Sequence, residues 1–249
     1  MTRKQASWAI AVFFGICLIA NVPSALLYGV IKNKLPGTEL TGLTGSVIQG
    51  ELSGISSQGR LLGQDLHYRL QPLSLLMGRL SYKITGGGEL ATLDGNFSRS
   101  LGSTGVHDLQ VRGNLKRLAS TAGLAFVPVD GEVEGHFAKL MMVKGALDSA
   151  EGKLDIKSAA WTLARDPMPL GDFHADISTT PEAIVAKITS PSGPLEARGD
   201  ARLFPDHRYE LDVLIKLKPG ASEMLSNYVR SLGTADAQGY THLKQKGTL

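Results

Sequence analysis

Short runs of alternating residues, set off by glycine, constrain this chain more than any other feature. In Tyr209–Leu217, residues Tyr209, Leu211, Val213, Ile215 and Leu217 fall on one side, and Glu210, Asp212 and Lys216 on the other. Successive side chains of a strand point to opposite faces, so this period predicts a strand with one apolar and one polar face. Leu66, Tyr68 and Leu70 within Leu61–Leu70 repeat the pattern, as does Ala183–Ile188. Strands of this kind build an antiparallel sheet covered on one side.

A Gly-polar-apolar triplet recurs among these runs. Gly95-Asn96-Phe97, Gly113-Asn114-Leu115, Gly131-Glu132-Val133, Gly152-Lys153-Leu154 and Gly171-Asp172-Phe173 follow one another at steps of 18, 18, 21 and 19 residues. Further copies start at Gly50, Gly88, Gly199 and Gly247. The period fits a strand, a turn and a returning strand, which predicts hairpins stacked side by side. Gly86-Gly87-Gly88 reads as a hairpin turn.

Three short helices are expected between strands. Pro72–Gly78 has Pro at its start and Gly at its end. Leu115, Leu118, Ala119 and Ala122 share a helical face that Gly123 can close. After Pro219-Gly220, residues Ala221, Met224, Leu225, Tyr228, Val229 and Leu232 form an apolar stripe ending at Gly233, which reads as a helix packed on its own sheet.

The N-terminus is of another kind. After Arg3 and Lys4, Trp8–Ile31 is 24 residues without a charge, roughly 36 Å as a helix and enough to cross a bilayer. Trp8, Phe13, Phe14, Leu18, Leu26, Leu27 and Tyr28 are the candidate anchor residues. Trp8 and Tyr28 stand near the two ends, where amphipathic rings prefer the headgroup level. Trp8–Ala20 alone fits the apolar core of a cleavable signal, but no small-residue cleavage site follows and apolar character resumes after Pro23. A retained anchor is therefore the expected form. Two basic residues on each side leave charge counting silent on orientation. A short leader before a large domain is the usual layout of a signal anchor with its N-terminus inside.

Charge argues against nucleic acid. The net charge is +3, yet setting aside the four flanking residues Arg3, Lys4, Lys32 and Lys34 leaves 22 of the 26 basic residues against all 23 acidic ones. The domain thus lacks the basic excess that releases counterions from phosphate. The single cysteine, Cys17, lies in the apolar run, so the predicted domain has no disulfide and no cysteine metal site. Asp172, His174 and Asp176 fall on one strand face and are the sharpest metal candidate. A site needs ligands converging from other elements, so the solvent face of a strand is the preferred reading. Asp65, His67 and Arg69 read the same way. No catalytic, cofactor or metal site is expected.

At Leu43-Thr44-Gly45-Ser46-Val47-Ile48-Gln49-Gly50 the chain resembles the type II secretion system protein N family. The likeness continues through Leu66-x-Tyr68-x-Leu70-x-Pro72-Leu73-x-Leu75-Leu76-x-Gly78-x-Leu80, and closes with Tyr209-x-Leu211, Leu232-Gly233-x-x-Asp236-x-x-Gly239 and Gly247-x-Leu249. The family often carries Trp where Ile48 and Tyr68 stand here. The resemblance implies a single-pass protein of the Gram-negative inner membrane with a periplasmic domain, accessory to the machine that exports folded proteins across the outer membrane. The family is also similar to AsmA-like envelope proteins, whose strands form a long curved sheet with an apolar groove. The expected fold is mainly β: an anchor at 8–31 after a cytoplasmic stretch 1–7, a linker 32–42, and a periplasmic domain 43–249 forming a curved antiparallel sheet of successive hairpins with a few short helices. Other secretion-apparatus subunits are the expected partners. Lipid binding along an apolar groove is the alternative.

Overall fold

The computed structural model describes residues 22–31, 38–57, 60–88, 91–100, 102–121, 128–143, 146–162 and 166–248. They form fourteen strands and four short helices, as the mainly β expectation required. Trp8, Phe13, Phe14 and Leu18 lie outside the described residues, as does the anchor up to Asn21. Among the described residues, no helix is long and apolar enough to cross a membrane. The chain divides into two compact units, Met1–Glu89 and Leu90–Leu249.

The first unit holds helix α1 (Ser24–Ile31), strands β1 (Thr38–Thr41), β2 (Thr44–Gly45), β3 (Gln49–Ser57) and β4 (Arg60–Leu70), helix α2 (Pro72–Leu75) and strand β5 (Leu80–Gly87). Its strands run β1-β3-β4-β5, antiparallel, with β2 also against β3. β1 falls inside the stretch expected to be a linker and pairs Thr38–Thr41 with Gly54–Ser57. Four residues, TELT, are too few to show alternation, so the sequence carries no strand signal here. β1 and β2 are one edge broken at Gly42, whose φ is +64° and where a Cβ would stand 2.1 Å from Ser53 Oγ. Leu52 and Leu66, buried and directly opposite, are the unit's apolar centre.

The second unit holds β6 (Ala91–Ser100), β7 (Ser103–Asn114), helix α3 (Leu115–Thr121), β8 (Val129–Val143), β9 (Ala146–Trp161), β10 (Met168–Thr179), β11 (Ile184–Ser192), β12 (Leu195–Leu203), β13 (Arg208–Leu217), helix α4 (Glu223–Leu232) and β14 (Thr241–Thr248). Each strand lies antiparallel beside its successor, β6 through β14. Register shifts interrupt β8–β9 at three places and β9–β10 at two, and each such bulge bends and twists its strand.

The triplets mark something other than expected. Gly95, Gly113, Gly131, Gly152 and Gly171 lie in five consecutive strands, β6 to β10. The period is thus one strand and its connection, not a hairpin. Gly86 and Gly87 likewise belong to β5 rather than to a turn. Gly86 lies opposite Leu66, and a Cβ on it would come within 2.4 Å of the Asp65 carbonyl oxygen. These glycines serve close approach of neighbouring strands.

The helices stand where their punctuation put them. α2 has Pro at its first position, and Gly78, at φ +68°, ends it while Arg79 N–H donates to the Ser74 carbonyl at 3.0 Å. Asn114 Oδ1 accepts from Arg117 N–H at the start of α3. Ser222 caps α4 by accepting from Leu225 N–H at 3.2 Å. Leu225 and Val229 of α4 pack on Met168, Leu195, Ala197, Val213 and Ile215, and Leu225 is only 1% exposed. The ring of Tyr228 lies 5.2 Å from that of Trp161.

Candidate functional site

Cross-strand register turns the alternation of single strands into rows that cross the second unit's sheet. Leu93, Val111, Gly135, Leu154, Ala175, Ile188, Gly199, Val213 and Leu243 lie directly opposite one another, one from each strand β6 to β14. No member is polar. The neighbouring row on the other face is Asp94, Gln110, His136, Lys153, Asp176, Lys187, Asp200, Asp212 and Lys244, and every member is polar. Adjacent residues of a strand point to opposite sides, so the sheet is apolar on one face and charged on the other.

α4 covers the apolar face at the β12–β14 end, where Val213 is buried and Leu243 packs against the same cluster. Towards β6 the row is half-buried: Leu93, Val111 and Leu154 are neither enclosed nor fully open. This apolar strip is the candidate binding surface. Its lining has no titratable group, so it can sort ligands by hydrophobicity and shape but offers no acid, base or nucleophile.

On the polar face the charges are matched. Glu134 accepts from Lys157 Nζ at 2.9 Å and pairs with Arg112 at 2.7 Å, and these cations hold its carboxyl below the usual range. His174 Nδ1 meets Asp155 Oδ1 at 2.7 Å and its Nε2 lies 3.3 Å from Asp176 Oδ2. The hydrogen bond to Asp155 raises the imidazole pKa, helped by the charges of both carboxylates. Asp172 takes another course: a register shift separates it from His174, and it accepts from Ser158 N–H at 2.8 Å and from Ser192 Oγ–H. The three residues proposed as a metal candidate are therefore split between two sets of partners. Among the described residues no group of three or more His, Cys, Asp or Glu could hold a metal ion. Asp155, on the neighbouring strand, was not visible as a partner, because register is not written in either strand alone.

In the first unit a polar groove of about 650 Å³ opens between β2 and the faces of β3, β4 and β5, lined by Glu51, His67, Tyr68, Arg69 and Lys83 among others. His67 Nδ1 lies 3.3 Å from Glu51 Oε1, both well exposed. That pair is the ionic dressing of a strand surface.

Of the anchor residues, three fall within α1. Leu26 is 66% exposed, Leu27 is helical, and Tyr28 Oη accepts from Leu40 N–H at 3.0 Å. Other apolar side chains stand in the open. Leu73, Leu76 and Met77 are 76%, 86% and 74% exposed, beside the partly exposed Leu75 and Leu80. The sequence placed Leu73–Met77 on a short helix but gave no sign that its apolar side chains would stand exposed.

Residues 36–244 match the family described as type II secretion system (T2SS), protein N. A protein of Vibrio cholerae serotype O1, named type II secretion system protein N, is 26% identical over 251 residues, covering 95% of this chain and 96% of that protein. No solved structure matches.

Proposed function

The chain belongs to the type II secretion system protein N family, and from that premise we propose that it is a non-enzymatic accessory component of the type II secretion apparatus, anchored in the Gram-negative inner membrane with its strands in the periplasm. The observation carrying this reading is the extent of the likeness. The matched residues run from before β1 to Lys244 in β14, so both units take part rather than one local motif. The uncharged run Trp8–Ile31 supplies the anchor through the part that precedes the residues bonded to the strands. Docking falls to the exposed edge β14, which among the described residues pairs with β13 and, apart from one bridge from Thr241 to Ala235, with no other strand. Its Lys244 and Lys246 are held by Asp212 and Glu210 of β13, a charged edge that discourages indiscriminate pairing while leaving backbone groups open to a partner strand. Anchoring raises the effective concentration of such contacts. A reporter active only in the periplasm, fused after Leu249, should be active, and a cytoplasm-only reporter dark; the reverse would refute the orientation.

A second reading has its own observation, the apolar row crossing nine strands, which would suit acyl chains in an AsmA-like groove. Gentle detergent extraction separates the two: stoichiometric secretion subunits favour docking, and tightly held phospholipid without them favours the groove.

A further inference from the structure

We infer that the turn Leu73–Leu80 of the first unit inserts its apolar side chains into the face of the lipid bilayer beside the point where the N-terminal segment leaves it. Leu73, Leu76 and Met77 are the most exposed large apolar side chains among the described residues. An exposed cluster of large apolar groups in one short turn marks a surface that something else covers.

Hydrogen bonds tie this turn to the emerging chain. The Val22 carbonyl accepts from Val47 N–H at 3.2 Å, and Ser24, itself buried, donates from Oγ to the Gly45 carbonyl at 3.2 Å. The Ile48 carbonyl accepts from Leu70 N–H at 2.6 Å, Tyr82 Oη–H donates to the Val47 carbonyl at 3.2 Å, and Gln71 N–H to Ser81 closes the base of the turn. Val22, Ile48 and both ends of the turn are thus neighbours, with exposed Leu26 on α1 nearby in sequence.

Length argues the same way. Residues 22–24 are bonded to the strands, and the uncharged run ahead of them is Trp8–Asn21. Fourteen residues reach roughly 21 Å as a helix, against a hydrocarbon core of about 30 Å. The deficit draws this end of the domain down to the headgroups. Arg79, next to Leu80 within the turn, adds a cation suited to anionic headgroups.

The inference rests on the anchor proposed above, and the test separates the two. The full chain is reconstituted in vesicles of phosphatidylethanolamine and phosphatidylglycerol, with an environment-sensitive fluorophore on a single cysteine. The cysteine is native Cys17, or Leu76→Cys or Glu51→Cys in a Cys17→Ser background. The probe at 76 should be several-fold less quenched by aqueous iodide than the probe at 51, and should be quenched by lipids spin-labelled near the headgroup. Iodide quenching equal to that at 51 would overturn the inference. So would shielding from iodide without quenching by spin-labelled lipid, since protein would then be the cover. Cys17 quenched by deeply labelled lipid while 76 behaves like 51 would leave the anchor standing and remove only the inserted turn. Cys17 open to iodide would remove the anchor itself.

Discussion

Helices α3 and α4 both leave the end of a strand and both return to the same sheet, but they do different things there. α4 drives Leu225 and Val229 into a cluster drawn from β10, β12 and β13. α3, seven residues long, lies near β7 and β8 and none of its side chains described is buried. In β8 beneath it and in the next strand, β9, burial of apolar side chains is limited to such sites as Val133, Ala150 and Ala159. One end of the sheet is therefore closed by its own chain, and the other keeps an apolar row half in water. Stability should concentrate at the closed end, leaving the open end free to bind.

The largest expected effect breaks the closed end. Leu225→Asp puts an unpaired carboxylate where a leucine is 1% exposed. Core truncation alone costs about 2–5 kcal/mol and the buried charge adds to it, against a total of about 5–15 kcal/mol. The cooperative thermal transition should be lost or fall sharply. Ser226→Asp, one residue along, off the apolar stripe and half-buried, should leave it nearly unchanged. A normal melt for Leu225→Asp would mean that α4 does not hold the sheet together.

Leu154→Asp repeats the substitution in the open half of the same row, where the side chain is half-buried. The expected loss is about 1–2 kcal/mol, read as a modest drop in melting temperature. A loss equal to that of Leu225→Asp would erase the difference between the two ends.

The smallest effect is electrostatic. His174 has its pKa raised in the fold by Asp155, with Asp176 contributing. A group with a raised folded pKa adds stability fully below its unfolded value, about 6.5, and loses it as pH rises through the folded value. Melting temperatures of wild type and His174→Gln should thus differ most in mild acid and converge at alkaline pH. A gap that widens with rising pH would contradict the assignment.

What could be read in advance follows a physical line. The stripe Ala221–Leu232 and the alternation Tyr209–Leu217 are local periodicities, and both elements formed where they were expected. The triplets were visible, but their meaning lies in neighbours on other strands. A Cβ on Gly152 would meet the His136 carbonyl oxygen at 2.6 Å, and one on Gly199 the Asp212 carbonyl oxygen at 2.1 Å, contacts created only by register. The pairing of His174 with Asp155 and the nine-strand row were hidden for the same reason. The exposed turn at Leu73–Leu80 was hidden differently: its helix obeys its own start and stop signals, and only the packed domain reveals how far its apolar side chains stand in the open.

Docking of the edge strand is tested most directly in living cells. A photoreactive residue in place of Gln245, an exposed position of β14, is activated while secretion is running, and its adducts are read by mass spectrometry. The predicted result is a crosslink to another subunit of the type II secretion apparatus, weakened when β14 is deleted from Thr241 onward and the probe is moved to Glu210 on β13. Adducts to lipid alone, or to no secretion subunit, would contradict it.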